Sequence, residues 1–278
     1  MNQAPLVSPA PLIFIAILAK QKEPVLLTFL RCIEALDYPK DRIVVYIRTN
    51  NNTDRTTEIL KEWVTAHESI YHAVEFDDRD VAKPIETFGV HEWNATRFSV
   101  LGAIRQTSME KAVDYGCDFY FVVDCDNFIK PHVLRALVAV NLPIVSPFLR
   151  HVTSTHPYSN YHAAIDHNGY FAECQLYWDI WNQTTKGLID IPVVHCTYLI
   201  RADVIPRLQY QDGSERHEYV IFSHSARKAS VPQYFDNREI YGYITLDDDK
   251  PELITEQMQF VENQIFGDPL LSVSSVTL

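Results

Sequence analysis

Glycine is scarce, with eight in 278 residues, too few to suggest a glycine-rich phosphate loop near the first strand. A nucleotidyltransferase generally wants such a phosphate loop there, which counts against that class. Basic residues are short as well: 24 Lys and Arg against 36 Asp and Glu leave a formal charge of -12. That balance repels a phosphate backbone or an anionic leaflet, so nucleic acid is not an expected partner. The five cysteines, at 32, 117, 125, 174 and 196, are odd in number and include no CxxC pair. Such a set predicts buried free thiols and a reducing compartment such as the cytoplasm. The apolar run from Pro11 to Ala19 falls far short of the roughly 20 residues a spanning helix needs. The opening MNQAPLVSPAPLIFIAILAK lacks a basic first segment, and the ending VSSVTL is no retention signal. The expectation is a soluble protein without signal peptide or membrane anchor; oligomeric state leaves no mark. Repeats and low-complexity stretches are also missing.

What is present is the material of a core. Hydrophobic residues make up 47% of the chain, enough to fold without staples. Apolar runs bounded by turn residues alternate with helix-period segments, the pattern of a largely parallel, Rossmann-like sheet flanked by helices. Leu12 to Leu18 and Ile43 to Ile47 read as strands, and Pro24 to Leu36 and Thr56 to Ala66 as helices. Phe98 to Tyr115 reads as a helix stopped by Gly116, leading into a strand from Asp118 to Val123. After Pro131 the strands shorten, Ile144 to Phe148 and Pro192 to Ile200, around a Tyr-, His- and Asn-rich loop from His151 to Gly169. Pro251 to Phe266 reads as a closing amphipathic helix, and the tail after it is expected to fray. No linker interrupts this. One domain is therefore expected over 1–278, with a nucleotide-side half at 10–130, an acceptor-side half at 131–250, and a helix and tail at 251–278.

Ligands of open α/β sheets collect beyond the carboxyl ends of the strands. That rule puts Ala19, Lys20, Thr49 to Asp54 and Asp124 to Asn127 on one rim. The densest signal is Phe119-Tyr-Phe-Val-Val-Asp124-Cys125-Asp126-Asn127, two carboxylates one residue apart where a buried strand ends. Mg²⁺ and Mn²⁺ favour carboxylate and phosphate oxygens, so this pair could hold a metal against a diphosphate and stabilise its departure. The plainer explanation is an acidic turn capping a helix near Pro131. His195 interrupts the apolar run Val193 to Tyr198 and is the candidate nitrogen ligand, with His224 as its rival; buried histidines in strands also serve as ordinary hydrogen-bonding residues. Arg97 and Arg105 share a helix face and could meet the nucleotide or its phosphates, or be solvated arginines.

Thr49, Asn51 and Asp54, in the polar run after the second strand, could read a uracil or ribose. They could equally form a helix-starting turn with Asp54 as cap. Glu215 and Glu218 open a helical pattern that runs to about Arg227, where a carboxylate could take a proton from an acceptor hydroxyl or merely complement the helix dipole. Trp178 and Trp181 could stack on a sugar ring or pack the core.

Taken in order, LIFIAILAK, LRCIEALDYPKDRIVVYIRTNNNTDRTTEILKEW, HEWNATRF, CDFYFVVDCDNFI, PYSNYH with NGYF, IPVVHCTYLIRADV, and EYVIFSHSARKASVP ending in NREIYGY resemble the glycosyltransferase domain of the procollagen galactosyltransferases, and more distantly the wider GT-A enzymes. The resemblance covers roughly residues 10 to 245. It implies a GT-A fold, a UDP-sugar donor, Mn²⁺ (or Mg²⁺) and inversion at the sugar carbon. Position by position it makes Asp124 and Asp126 the metal and diphosphate pair, and it matches His195 to the histidine of a VHST-like strand. Arg105 takes the place of a basic residue in the helix before the DxD strand. Glu218 falls on an acidic pair suited to the base of an inverting enzyme, with His217 in the other place. The expected donor-binding set is Ala19, Lys20, Thr49, Asn51, Asp54, Arg97, Arg105, Asp124 and Cys125; the metal set is Asp124, Asp126 and His195.

The family's animal members are secretory-pathway proteins with two such domains, whereas one domain and no leader are read here. A hydroxylysine of a collagen-like protein is then one expected acceptor, and another protein or a glycan the alternative. The transferred hexose, galactose or glucose, is not distinguished. Against the transferase reading stand a nucleotidyltransferase and a catalytically silent UDP-sugar-binding module; hydrolysis of a UDP-sugar with manganese separates the last from an enzyme.

Overall fold

The computed structural model describes residues 9–82, 92–153 and 156–267. The first eight residues, His91 of HEWNATRF, residues 154–155 of the His151 to Gly169 loop and the tail after residue 267 lie outside the described residues.

Strands β1 (Ile13–Ala19), β2 (Ile43–Thr49) and β4 (Phe119–Val123) are built mostly from β-branched, aliphatic and aromatic residues and are buried along nearly their whole length. Such runs suit the middle of a sheet covered on both faces. With β3 (Ala73–Asp77), β6 (Ile144–Pro147), β9 (Leu188–Asp190), β11 (Thr197–Arg201) and β12 (Gln233–Asp236), they form an eight-stranded sheet in the order β3-β2-β1-β4-β11-β6-β12-β9. The pairs β1 with β2, β2 with β3, β1 with β4 and β6 with β12 are parallel, whereas β11 and β9 run against their neighbours. Core residues such as Phe121 and Val122 are fully buried, and truncating a Phe at such a site costs about 3–5 kcal/mol.

Helices α1 (Glu23–Glu34), α2 (Thr56–His67) and α4 (Val133–Val140) fall near their expected places. Helix α3 (Ala95–Asp114) starts earlier than the apolar period suggests, because the Asn94 side chain accepts from the Arg97 N–H and caps it. It ends where Gly116 takes φ of 66°, and the Cys117 N–H then closes onto Ala112 O. Helices α5 (Gln175–Trp181), α6 (Glu218–Lys228) and α7 (Pro251–Phe266) complete the set. Two small sheets stand beside the large one: β5 (Asn127–Ile129), β13 (Gly242–Ile244) and β7 (Leu149–His151), and the pair β8 (Tyr161–His162) and β10 (Val193–Val194). Gly242 is required there, since an added Cβ would collide with Phe128 O.

The single strand expected from Pro192 to Ile200 is two pieces. Cys196 has φ of 63°, and the Thr197 N–H donates to His195 O at 2.6 Å across it, a tight three-residue turn that parts β10 from β11. Among the described residues no helix is long and apolar enough to cross a membrane.

Candidate active site

A cavity of about 390 Å³ opens at the carboxyl ends of β1 and β4. Its floor is the DxD turn. The Asp124 N–H donates to Cys196 O and the Asn127 N–H to Asp124 O, both at 3.0 Å, while Asp126 O accepts from the Thr245 N–H at 3.1 Å. The turn is thus pinned by the β10–β11 break and by the segment after β13.

Each acid of the turn faces a cation of the protein. Asp124 Oδ1 accepts from Arg105 Nη2 at 2.7 Å, and Asp126 Oδ2 lies 2.8 Å from Lys22 Nζ. Burial, and then Asp126, push the Asp124 carboxyl up against the opposing pull of Arg105. Burial opposes charge on Arg105 too, but Asp124, Tyr198 and Glu218 outweigh it and hold the guanidinium charged. Arg105 is almost fully buried, and its Nε and Nη1 make no hydrogen bond within the protein. Unsatisfied buried donors on a cavity wall are the groups an anionic or hydroxylated ligand would meet.

Across the arginine stands Glu218, the first residue of α6, with Oε1 3.5 Å from Arg105 Nε and Oε2 2.8 Å from His217 Nδ1. Burial would raise its carboxyl, but the His217 hydrogen bond and Arg105 more than offset that, and it sits below its ordinary value. Glu215 lies outside the helix and is exposed.

The structure gathers Ala19, Lys20, Arg97, Arg105, Asp124, Cys125, Asp126, His195 and Glu218 on this one cavity. Cys125 contributes a buried thiol that donates to Leu18 O at 3.5 Å. Arg97 lies over the exposed Trp93 ring, 5.9 Å from its centroid. Thr49, Asn51 and Asp54 do not line the cavity. Thr49 is buried and accepts from Asn52 Nδ2. Asn51 binds the Val81 backbone through both ends of its amide. Asp54 accepts from the N–H groups of Glu23 and Thr56, at the starts of α1 and α2.

Of the two histidines, His195 lines the cavity and His224 is exposed on α6. Burial, then His162 and His217, push His195 well below its ordinary value, so its ring is neutral, as a metal ligand must be. Its Nδ1 lies 2.9 Å from Cys196 Sγ. Among the described residues no three His, Cys, Asp or Glu side chains converge as a ready-made metal cage. A hard divalent ion does not need one: it takes one or two carboxylates and fills the rest from phosphates and water. Asp124 and Asp126 are the two carboxylates of the cavity floor that are chemically suited to that share.

Residues 10–264 match the family model described as Glycosyltransferase family 25, N-terminal domain. The chain belongs to glycosyltransferase family 25. Within the family's curated proteins it is 31% identical over 291 residues to human procollagen galactosyltransferase 2, covering 99% of this chain and 46% of that protein. It is 34% identical over 243 residues to procollagen galactosyltransferase 1 of Danio rerio, covering 84% and 40%. The chain thus spans under half the length of these relatives. Among solved structures, S. aureus TarS 1-349 in complex with UDP-GlcNAc aligns with a TM-score of 0.55 at 14% identity, covering 93% of this chain and 67% of that one. The mannosyltransferase PcManGT from Pyrobaculum calidifontis, in complex with GDP-Man and Mn2+, gives 0.51 at 14% identity, covering 86% and 60%. This likeness shows the fold, the GT-A fold that the family resemblance implied.

Several wall residues of this family 25 site escaped sequence reasoning. Lys22, Trp93, Tyr158, His162 and Tyr219 all line the cavity. Trp93 stood in HEWNATRF, Tyr158 and His162 in PYSNYH and Tyr219 in the segment from Glu218, all with a family signal, whereas Lys22 stood in none. Trp178 and Trp181 lie elsewhere, on α5, where Trp181 packs under Arg150.

Proposed function

We propose that this chain moves a hexose, galactose or glucose, from a UDP-sugar to an acceptor hydroxyl with inversion, assisted by Mn²⁺ or Mg²⁺. The observation that carries the reading is one cavity with the Asp124-Cys125-Asp126 turn on its floor and Glu218 beyond Arg105. Asp124 and Asp126, with His195 as the candidate nitrogen ligand, would hold the divalent ion, which would offset charge on the departing diphosphate. Arg105 presents Nη1, which makes no hydrogen bond within the protein, to the donor. Ala19, Lys20, Arg97 and Cys125 form the surrounding wall for the nucleotide, and Thr49, Asn51 and Asp54 support it by fixing the loops behind that wall.

Glu218, held ionised near neutrality, takes the proton of the acceptor hydroxyl as that oxygen bonds to the anomeric carbon and the bond to UDP breaks. In line with the names of the relatives, a hydroxylysine of a collagen-like protein is the first acceptor to try; other proteins and glycans are the second. A thermal-shift screen of UDP-sugars with and without Mn²⁺ tests the donor, because binding to the native state raises its stability. Product mass after incubation with hydroxylysine peptide tests the acceptor. Stabilisation by no UDP-sugar would sink the reading, and binding without transfer to any acceptor would leave a silent module.

A further inference from the structure

Lys22 sits between two carboxylates of unlike surroundings. Its Nζ lies 2.8 Å from Asp126 Oδ2, whose side chain is 21% exposed, and 2.6 Å from Asp248 Oδ2, whose side chain is fully buried. The lysine backbone is fixed: its N–H donates to Thr56 Oγ1 at 2.8 Å, and its carbonyl accepts from Val25 and Leu26 to begin α1. The segment carrying Asp248 is tied to the turn independently, through the Thr245 N–H on Asp126 O. Only the flexible four-carbon stem of Lys22 is therefore left to move.

We propose that Lys22 is a built-in counter-ion of Asp126, which holds that carboxylate when no divalent cation is bound and passes to Asp248 when one is. This rests on the metal reading given above. A dication and an ammonium cannot both sit on one carboxylate edge in a partly buried cavity without strong repulsion. Asp248 gives the displaced ammonium a partner already in contact, so it is not stranded. Burial opposes the charge on Lys22, but Asp126 and Asp248 together outweigh it and hold the ammonium above its usual range. The resting floor then has one protein cation per acid, Arg105 on Asp124 and Lys22 on Asp126. Metal entry adds net positive charge where a diphosphate would land, and Lys22 sets the metal concentration at which this happens.

The test is a Mn²⁺ titration followed by the electron paramagnetic resonance of the free ion, on the full chain, with the metal alone and with UDP. K22M should bind Mn²⁺ about tenfold tighter or more, the scale on which a ligand's neighbours alter metal affinity. D248N should bind it severalfold more weakly, because Lys22 then has Asp126 as its sole carboxylate. R48M is the control, since Arg48 lines the same cavity but pairs with Asp77; its affinity should move by less than about twofold. Unchanged or weaker binding in K22M, an equal gain in R48M, or tighter binding in D248N would each overturn the proposal. If K22M does not fold, the sign of the D248N change decides. Absence of Mn²⁺ binding to the wild-type chain, with or without UDP, would instead remove the metal reading and this inference with it.

Discussion

The guanidinium of Arg105 lies 2.7 Å from the Asp124 carboxylate while its Nε stands 3.5 Å from Glu218, so one buried cation faces both the DxD turn and the head of α6. Replacing it by methionine leaves two acids without their shared counter-charge. R105M should lose about 3 kcal/mol in urea denaturation, the scale for breaking a buried pair, and its affinity for UDP should fall. Its choice among UDP-sugars should stay the same; a switched preference would put this side chain at the sugar rather than at the phosphates.

Asp124→Asn and Asp126→Asn each remove a charge from the floor while keeping its shape. Both should lose transfer and Mn²⁺-dependent UDP binding in calorimetry, with the thermal transition retained. Full turnover in both variants would end the metal assignment.

Glu218→Gln should keep donor affinity and lower kcat by about 10²-fold or more, the usual scale for a positioned base. Glu215→Gln, at an exposed residue three positions earlier, should change nothing. If E218Q turns over normally and shows only a loss of about 0.3–1 kcal/mol in stability, its role is that of an acid complementing a helix dipole.

His162 is buried and its value is pushed down by burial from 6.5 to about 4. As pH falls, the unfolded chain takes up this proton before the folded one does. Stability is therefore complete above about pH 6.5 and declines between there and about pH 4, by at most about 1.4 kcal/mol per pH unit for one site. His195, pushed down in the same direction, steepens the decline. Urea denaturation at pH 7.5, 6 and 5 should show it, and H162Q should flatten it by one proton's worth. The same slope in H162Q as in the wild type would show that another group carries the effect.

The first half of the chain was legible because its strands are long and continuously apolar: Leu12 to Leu18 and Asp118 to Val123 lie within a residue of β1 and β4. Strand β3 was not legible, since Glu75 and Asp77 break its apolar run and all five residues are only half buried. Later in the chain, pairings of two or three residues such as β8 with β10 are dictated by tertiary packing, which no local period records. Among site residues, the DxD acids and Glu218 stood out as charges at element ends, and Arg105 through the family resemblance. Lys22 reads as an ordinary solvated residue beside a helix start, and Asp248 as one of three acids in a row. Neither pattern shows that they meet 226 positions apart in the chain.

Strand β11 pairs antiparallel with β4 along five residues, from Thr197 opposite Val123 to Arg201 opposite Phe119. Strands from the first and second halves of the chain are thus stitched together directly beneath the cavity. A hinge between the halves would have to unzip that ladder, so the cleft cannot breathe as two jaws do. Access for a ligand, and its exit, must depend on side chains and surface loops along the mouth. The depth of the cavity is in this sense a constant of the fold, and only its entrance is adjustable.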